Sequence, residues 1–215
     1  MIKIIFITIT LLSLVLFYLG TGKIKKILII SILWLSSIGT LSFYSYFENT
    51  TTTPPRFLIV LIGSISLSIY LLKTLRIKKI NTKMILVLHS LRLPIEICLL
   101  QLYFQNQIPK LMTFLGYNFD IIMGISAIII LLSMHYKKSF HSNKILYYWN
   151  ITGLIFLSII VLTALLSAPL PFQLFAFNQP NIALTKFPFV FLPAFIVPLI
   201  YTSHFLTLKT LKNAS

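Results

Sequence analysis

His89, Arg92 and Glu96 stand at i, i+3 and i+7 within the otherwise apolar run Met84–Leu102. Wound as a helix, that spacing puts all three on one face. Ionisable groups inside a membrane helix are rare and costly, and they turn inward to partners or to a wet cavity. Counting ~1.5 Å per residue from Met84, Glu96 lies ~18 Å in, near the middle of a bilayer. Arg92 and Glu96 are four apart, so a direct ion pair between them is expected, with Pro94 kinking the helix locally. Such a group can recognise a polar or charged solute at mid-membrane. The plain alternative is a buried ion pair that fixes helix packing and binds nothing.

Three more polar residues extend this candidate site. Asp120 opens a later apolar run and is expected at or just below the outer surface, either as a helix cap shared with Asn118 or as the outer carboxylate of a polar path. Asn150 and His204 fall near the cytoplasmic ends of the last two runs, at a depth similar to His89. If those helices adjoin, His89, Asn150 and His204 form a cluster. Two histidines from different helices are also the ligand set of a bis-histidine haem, the one cofactor this pattern suggests. Cys98 is the single cysteine, so no internal disulfide and no cysteine-based metal site exists. Zinc helices, nucleophile elbows and phosphate loops are absent, so no catalytic residue and no metal ligand is assigned, and the balance leans away from an enzyme.

Positioning these residues falls to seven apolar stretches: Ile4–Leu19, Ile27–Tyr46, Phe57–Leu72, Met84–Leu102, Phe119–His135, Ile145–Leu166 and Phe189–Leu206. Each is near the ~20 residues that cross a bilayer as a helix, and open strands cannot cross because their backbone groups would go unsatisfied. The chain is 58% hydrophobic with mean hydropathy +0.96, and its loops are too short for a soluble domain. The expectation is an all-α bundle of seven transmembrane helices forming one domain over residues 1–215.

Lysine and arginine fall in alternate gaps. The rich gaps hold Lys23, Lys25 and Lys26, then Lys73, Arg76, Lys78, Lys79 and Lys83, then Lys137, Lys138 and Lys144, then Lys209 and Lys212. The poor gaps hold Lys3, Arg56, Lys110 and Lys186 alone. Positive charge gathers on the cytoplasmic side, which predicts an outside N-terminus and a cytoplasmic C-terminus. A cleaved signal peptide over Ile4–Leu19 competes with this, but it would put Lys23, Lys25 and Lys26 outside and break the alternation. The net charge of +15 is explained by these patches and by anionic lipid headgroups, so nucleic acid is not an expected partner.

Two segments depart from an ordinary membrane bundle. The outer loop Ser167–Pro188 is apolar and proline-rich, carrying Phe172, Phe175 and Phe177, so it is expected in the headgroup region or folded back over the outer mouth. The last span contains Pro193 and Pro198, each of which removes a hydrogen bond and frees a carbonyl. Elsewhere, Ser36 with Thr40 and Ser64 with Ser68 are spaced for close helix approach or for bonding to their own backbone. Asn49-Thr50-Thr51 matches a glycosylation sequon, a short and common pattern.

Two stretches stand out together: Arg92-Leu-Pro-Ile-Glu96 running on to Met112-Thr-Phe-Leu-Gly-Tyr-Asn118-Phe-Asp120-Ile, and Ser167-Ala-Pro-Leu-Pro-Phe-Gln173 with Phe175-Ala-Phe-Asn-Gln-Pro-Asn181 and Phe187-Pro-Phe. Together these resemble a family of uncharacterised multi-pass proteins from bacteria of the Bacteroidetes type, over roughly the last three-fifths of the chain. An acidic residue of that family pattern is replaced here by Leu115. The resemblance implies a bacterial inner membrane and no particular activity.

The leading expectation is transport of a small solute or ion through the polar site. The alternative is a non-catalytic interaction or sensory subunit that meets another membrane protein or a second copy of itself. A bis-histidine haem protein ranks third.

Overall fold

The computed structural model describes residues 1–50, 52–75, 80–136 and 143–213. The charges of Arg76, Lys78, Lys79, Lys137 and Lys138, and Thr51 of the sequon, lie outside these residues. All regular structure among the described residues is helical. The helices are α1 (Ile2–Gly20), α2 (Lys25–Phe43), α3 (Leu58–Thr74), α4 (Thr82–Ser90), α5 (Arg92–Phe104), α6 (Asp120–Tyr136), α7 (Asn143–Leu166) and α8 (Val197–Lys212). Taking α4 with α5, and α8 with the turn before it, five helices are long and apolar enough to cross a membrane, while Leu58–Thr74 and Asp120–Met134 are shorter apolar helices.

Burial separates a centre from a periphery. Of the most apolar windows, 61% of Leu192–Lys212 and 56% of Thr82–Phe104 is buried, against 28–33% in α1, α2 and α7. Leu11, Leu33, Ile62 and Leu162 therefore point outward from an apolar exterior. Water would penalise such a surface, whereas lipid accepts it. α8 is packed by α3 and α7, and the α4–α5 pair by α1 and α6.

Proline shapes both central helices. α4 ends at Ser90 and α5 begins at Arg92, with Pro94 unable to donate to the carbonyl of Ser90. Ahead of α8 lies a single π turn, Leu192–Ile196. Pro198 cannot bond the carbonyl of Ala194, and the indole N–H of Trp34 on α2 donates to that oxygen at 2.8 Å. The freed carbonyl is thus satisfied by a side chain from another helix.

The connections 105–119 and 167–188 are sewn together. Backbone amides of Ile182 and Ala183 donate to the carbonyl of Gln107 at 3.0 and 3.1 Å. The Gln179 side-chain amide donates to the carbonyls of Tyr103 and Ile108, and Lys186 Nζ to Gln107 Oε1. The segment 105–119 folds back into the protein, with Ile108, Met112, Thr113 and Asn118 buried. Loop 167–188 buries Ala168, Leu170 and Asn181–Thr185 apart from Ile182, but leaves Phe172, Leu174, Phe175 and Phe177 exposed. The serine pairs bring no helices together: Ser64 and Ser68 donate to Leu61 and Ser64 carbonyls on their own helix, and Ser36 and Thr40 are exposed.

Candidate functional site

Arg92 opens α5 and its side chain is buried. Its expected partner was Glu96, but the structure pairs it with Asp120. Nε donates to Oδ2 at 3.2 Å and Nη2 to Oδ1 at 2.9 Å, a two-point fork between helices α5 and α6. Nη1 reaches Nε2 of His204 at 3.4 Å. An arginine nitrogen only donates, so His204 Nε2 accepts, which leaves Nδ1 carrying the proton. That Nδ1 lies 2.8 Å from Asn150 Oδ1, and the Asn150 amide donates to the carbonyl of Leu146.

Asp120 is not exposed at the end of α6. A Cβ on Gly124 would sit 2.9 Å from the Leu93 nitrogen, so the two helices touch there through backbone. One helical turn from Gly124, ~6 Å along α6, places Asp120 level with Glu96. Nor is Asp120 the cap: Asn118 Oδ1 accepts the Asp120 amide at 3.0 Å, and the carboxylate goes to Arg92.

Glu96 is buried beside this fork and held by a different residue. Asn118 Nδ2 donates to Glu96 Oε1 at 2.7 Å and to the carbonyl of Met112 at 3.0 Å. Glu96 Oε2 has no hydrogen-bond partner among the described residues, and neither has Oδ1 of buried Asn181. Sequence reasoning named Glu96 but missed both asparagines as site residues. The Asn-Phe-Asp run at 118–120 was the available signal for Asn118. Asn181, in a loop, carried none.

Several of these groups line a cavity of about 130 Å³. Its polar wall is Arg92, Glu96, Asn118, Asp120 and Asn181. Its apolar walls come from α3, α5, α7, the π turn and α8, and Leu184 and Thr185 of loop 167–188 cover part of it. Both α3 and α7 pack on α8, and among the described residues they make few contacts with each other.

Residues 56–212 match a family described as Domain of unknown function (DUF8737). The chain belongs to the DUF8737 family. Every residue lining the cavity, from Phe57 to Ile200, falls within the DUF8737 segment. No curated protein and no solved structure matches the chain.

On the other side of Arg92 the DUF8737 segment is tightly packed. His89, Asn150, Ser203 and His204 are wholly buried. His89 Nε2 lies 3.0 Å from Ser203 Oγ, and the His89 and His204 rings are 4.2 Å apart, with Trp149 against both. The histidines therefore meet, as their depths suggested. They do not fit a bis-histidine haem: rings in contact leave no space for a macrocycle, and both nitrogens of His204 are engaged. All six residues expected in the site, His89, Arg92, Glu96, Asp120, Asn150 and His204, form one buried neighbourhood in which Arg92 is the hub.

Proposed function

We propose that this protein is a seven-span protein of a bacterial inner membrane, with its N-terminus outside and its C-terminus in the cytoplasm, and that it transports a small solute. The alternation of basic loops supports the orientation. The two shorter helices have 17 residues each, the low end of spanning length, and the segment 105–119 completes the second, since irregular backbone is tolerated in a membrane where protein covers it. The observation that carries the transport reading is the cavity reaching Glu96, roofed on the outer side by loop 167–188 and closed on the cytoplasmic side by the His89–His204–Trp149 cluster. This is the form expected of one state in an alternating-access cycle, with a binding site near the midplane.

Thiol accessibility tests it. In a Cys98→Ser background, Ser64→Cys and Val161→Cys place a thiol on the cavity wall. A membrane-impermeant thiol reagent added outside should label both positions in intact cells, and a solute that occupies the cavity should protect them. Absence of labelling from either side of the membrane would sink the transport reading.

A second reading, an interaction subunit, draws on the exposed Ser36 and Thr40 on α2. Small residues on a lipid-facing helix allow another helix to approach closely. Cross-linking through Ser36→Cys in membranes would favour it, and a monomer in native-lipid discs would remove its support.

A further inference from the structure

Loop 167–188 covers part of the cavity, and a gap between two helices leaves its side open. We propose that this gap admits lipid: the end of a phospholipid acyl chain enters from the bilayer between α3 and α7 and fills the cavity. The inference goes beyond the transport reading and does not rest on it, since a chain enters sideways whether or not a solute crosses the membrane.

The opening comes first. α3 and α7 each pack on α8, and among the described residues they make few contacts with each other. The π turn and α8 form the most buried of the long apolar helices. Even so, Pro193, Val197 and Tyr201, each about one turn from the next, are only half-buried, and Phe205 in line with them is exposed. Tyr201 Oη lies 2.9 Å from Ser158 Oγ, which sets this stripe beside α7. Pro193 and Val197 line the cavity together with half-buried Leu61 and Ser64 of α3 and Val161 and Leu165 of α7. The central helix is therefore reached from outside through the space that the cavity occupies.

Both lips of the gap are apolar. Ile62 and Ile65 of α3 and Ile159 and Leu162 of α7 are exposed next to the lining residues. Water at such an entrance is unfavourable, whereas a hydrocarbon chain matches it. Whatever comes in between these side chains comes from lipid.

Shape selects a chain. On α7 the lining runs from Leu157 through Val161 and Ala164 to Ala168, ~16 Å along the axis. On α3 it runs from Phe57 to Ser64, ~10 Å. The cavity is drawn out along the helices, the direction in which the chains of a bilayer lie. Its volume, about 130 Å³, falls below the ~150 Å³ that takes a benzene ring. A space that is long for its volume suits the last few carbons of a thin, flexible chain better than a ring.

The walls agree. Leu99, Leu157, Ile160, Ile196 and Ile200 are buried in the lining and offer contact without hydrogen bonds. The charged residues of the wall bond other wall residues, Arg92 to Asp120 and Glu96 to Asn118, and a chain asks nothing of them. Moving from lipid into the cavity brings the chain no hydrophobic gain, because it leaves one hydrocarbon surrounding for another. What it adds is the dispersion contact that facing walls forgo across an empty space.

The experiment uses the full-length protein in nanodiscs that contain a phospholipid with a diazirine at the end of one acyl chain. Irradiation and peptide mass spectrometry read which residues the chain end touches. Adducts are expected on exposed Ile62 and Leu162, and also on buried Leu157, Ile196 and Ile200. Buried Ile27 and Leu88, which do not line the cavity, should carry none. A phospholipid with the diazirine on its headgroup should label none of these buried positions. Ala164→Trp fills the cavity from α7 and should remove the adducts at Leu157, Ile196 and Ile200 while keeping those at Ile62 and Leu162. Should that variant fail to fold, Val161→Phe makes the same test, and the contrast between chain-end and headgroup probes decides in the unsubstituted protein. Adducts confined to exposed residues overturn the proposal. So do buried adducts that persist in a folded, filled variant, or labelling of Ile27 and Leu88 equal to that of the cavity. Buried adducts from a small aryl diazirine dissolved in the same bilayer, with none from the chain, also overturn it, in favour of a free apolar molecule. Labelling of Ser64→Cys and Val161→Cys by the impermeant thiol reagent is read separately. Thiols that label while the chain stays out leave transport standing and remove the chain. Chain adducts without thiol labelling do the reverse.

Discussion

Residues 1–55 and the DUF8737 segment satisfy their polar groups in opposite ways. In α1, the buried hydroxyls of Thr10 and Ser13 donate to the carbonyls of Phe6 and Ile9, one turn back on the same helix. Such groups ask nothing of their neighbours. In the DUF8737 segment, Arg92 bonds Asp120, Asn118 bonds Glu96, and His204 meets Asn150, each across separate elements. Those groups are satisfied only in one arrangement of the bundle. The first region tolerates sliding, and the second does not. Hydrogen bonds join the two regions, among them Trp34 to the Ala194 carbonyl, Ser42 Oγ to the Thr185 carbonyl at 3.3 Å and the Asn81 amide to the Gly20 carbonyl at 2.8 Å, beside ring contacts such as Phe6 on Phe189.

The contrast is broken most directly at the Arg92–Asp120 fork. Arg92→Leu or Asp120→Leu leaves one charge buried without its partner, which costs ~3–5 kcal/mol. The double replacement should be less damaging than either single one. Thermal midpoints and membrane abundance of the three variants check this, and single variants as stable as wild type would show that the fork holds nothing together.

Gly63 and Trp34 test the join. A Cβ on Gly63 would collide with the Trp34 ring, so Gly63→Ala should cost ~1–3 kcal/mol through overpacking. Trp34→Phe strands the Ala194 carbonyl, a loss of ~1–3 kcal/mol for a buried acceptor. Because both changes act on one side chain, their sum should fail by more than ~0.5 kcal/mol. Strict additivity in a double-mutant cycle would mean that α3 and the π turn do not communicate through Trp34.

Glu96→Gln should move stability by ~1 kcal/mol or less, since the new amide oxygen still accepts from Asn118. A large loss of folded protein would mean that Glu96 holds the bundle as Arg92 does. Smallest of all, Ser36→Ala and Thr40→Ala should stay within ~0.5 kcal/mol, as exposed substitutions do. A clear drop in thermal midpoint there would reveal a covered face on α2.

The helices were legible in the sequence because an apolar exterior demands unbroken apolar runs, and those runs match α1 to α7 to within a few residues, whereas the last, Phe189–Leu206, starts ahead of the π turn and stops six residues short of the end of α8. The burial of Glu96 followed from its place inside one apolar run. Its neighbours did not. Spacing within a helix pointed Arg92 at Glu96, while the actual partner, Asp120, comes from α6 at a level that only the fold of 105–119 sets. Apolar length alone gives no sign that a span is completed by irregular backbone. Asn181, and the hold of Asn118 on Glu96, were missed for the same reason: both residues belong to connections, where no periodicity reports direction.

The π turn before α8 carries a consequence of its own. A π turn holds one more residue than the α-helical ladder it interrupts. Converting it to α geometry would advance the phase of everything after it by about 100°. Ile200, Ser203 and His204 would then swing away from the cavity, His89 and Arg92 respectively. Trp34 occupies the carbonyl around which that extra residue is stored. The rotational register of α8, and with it the packing of His204 against Arg92, thus depends on an indole from outside the DUF8737 segment.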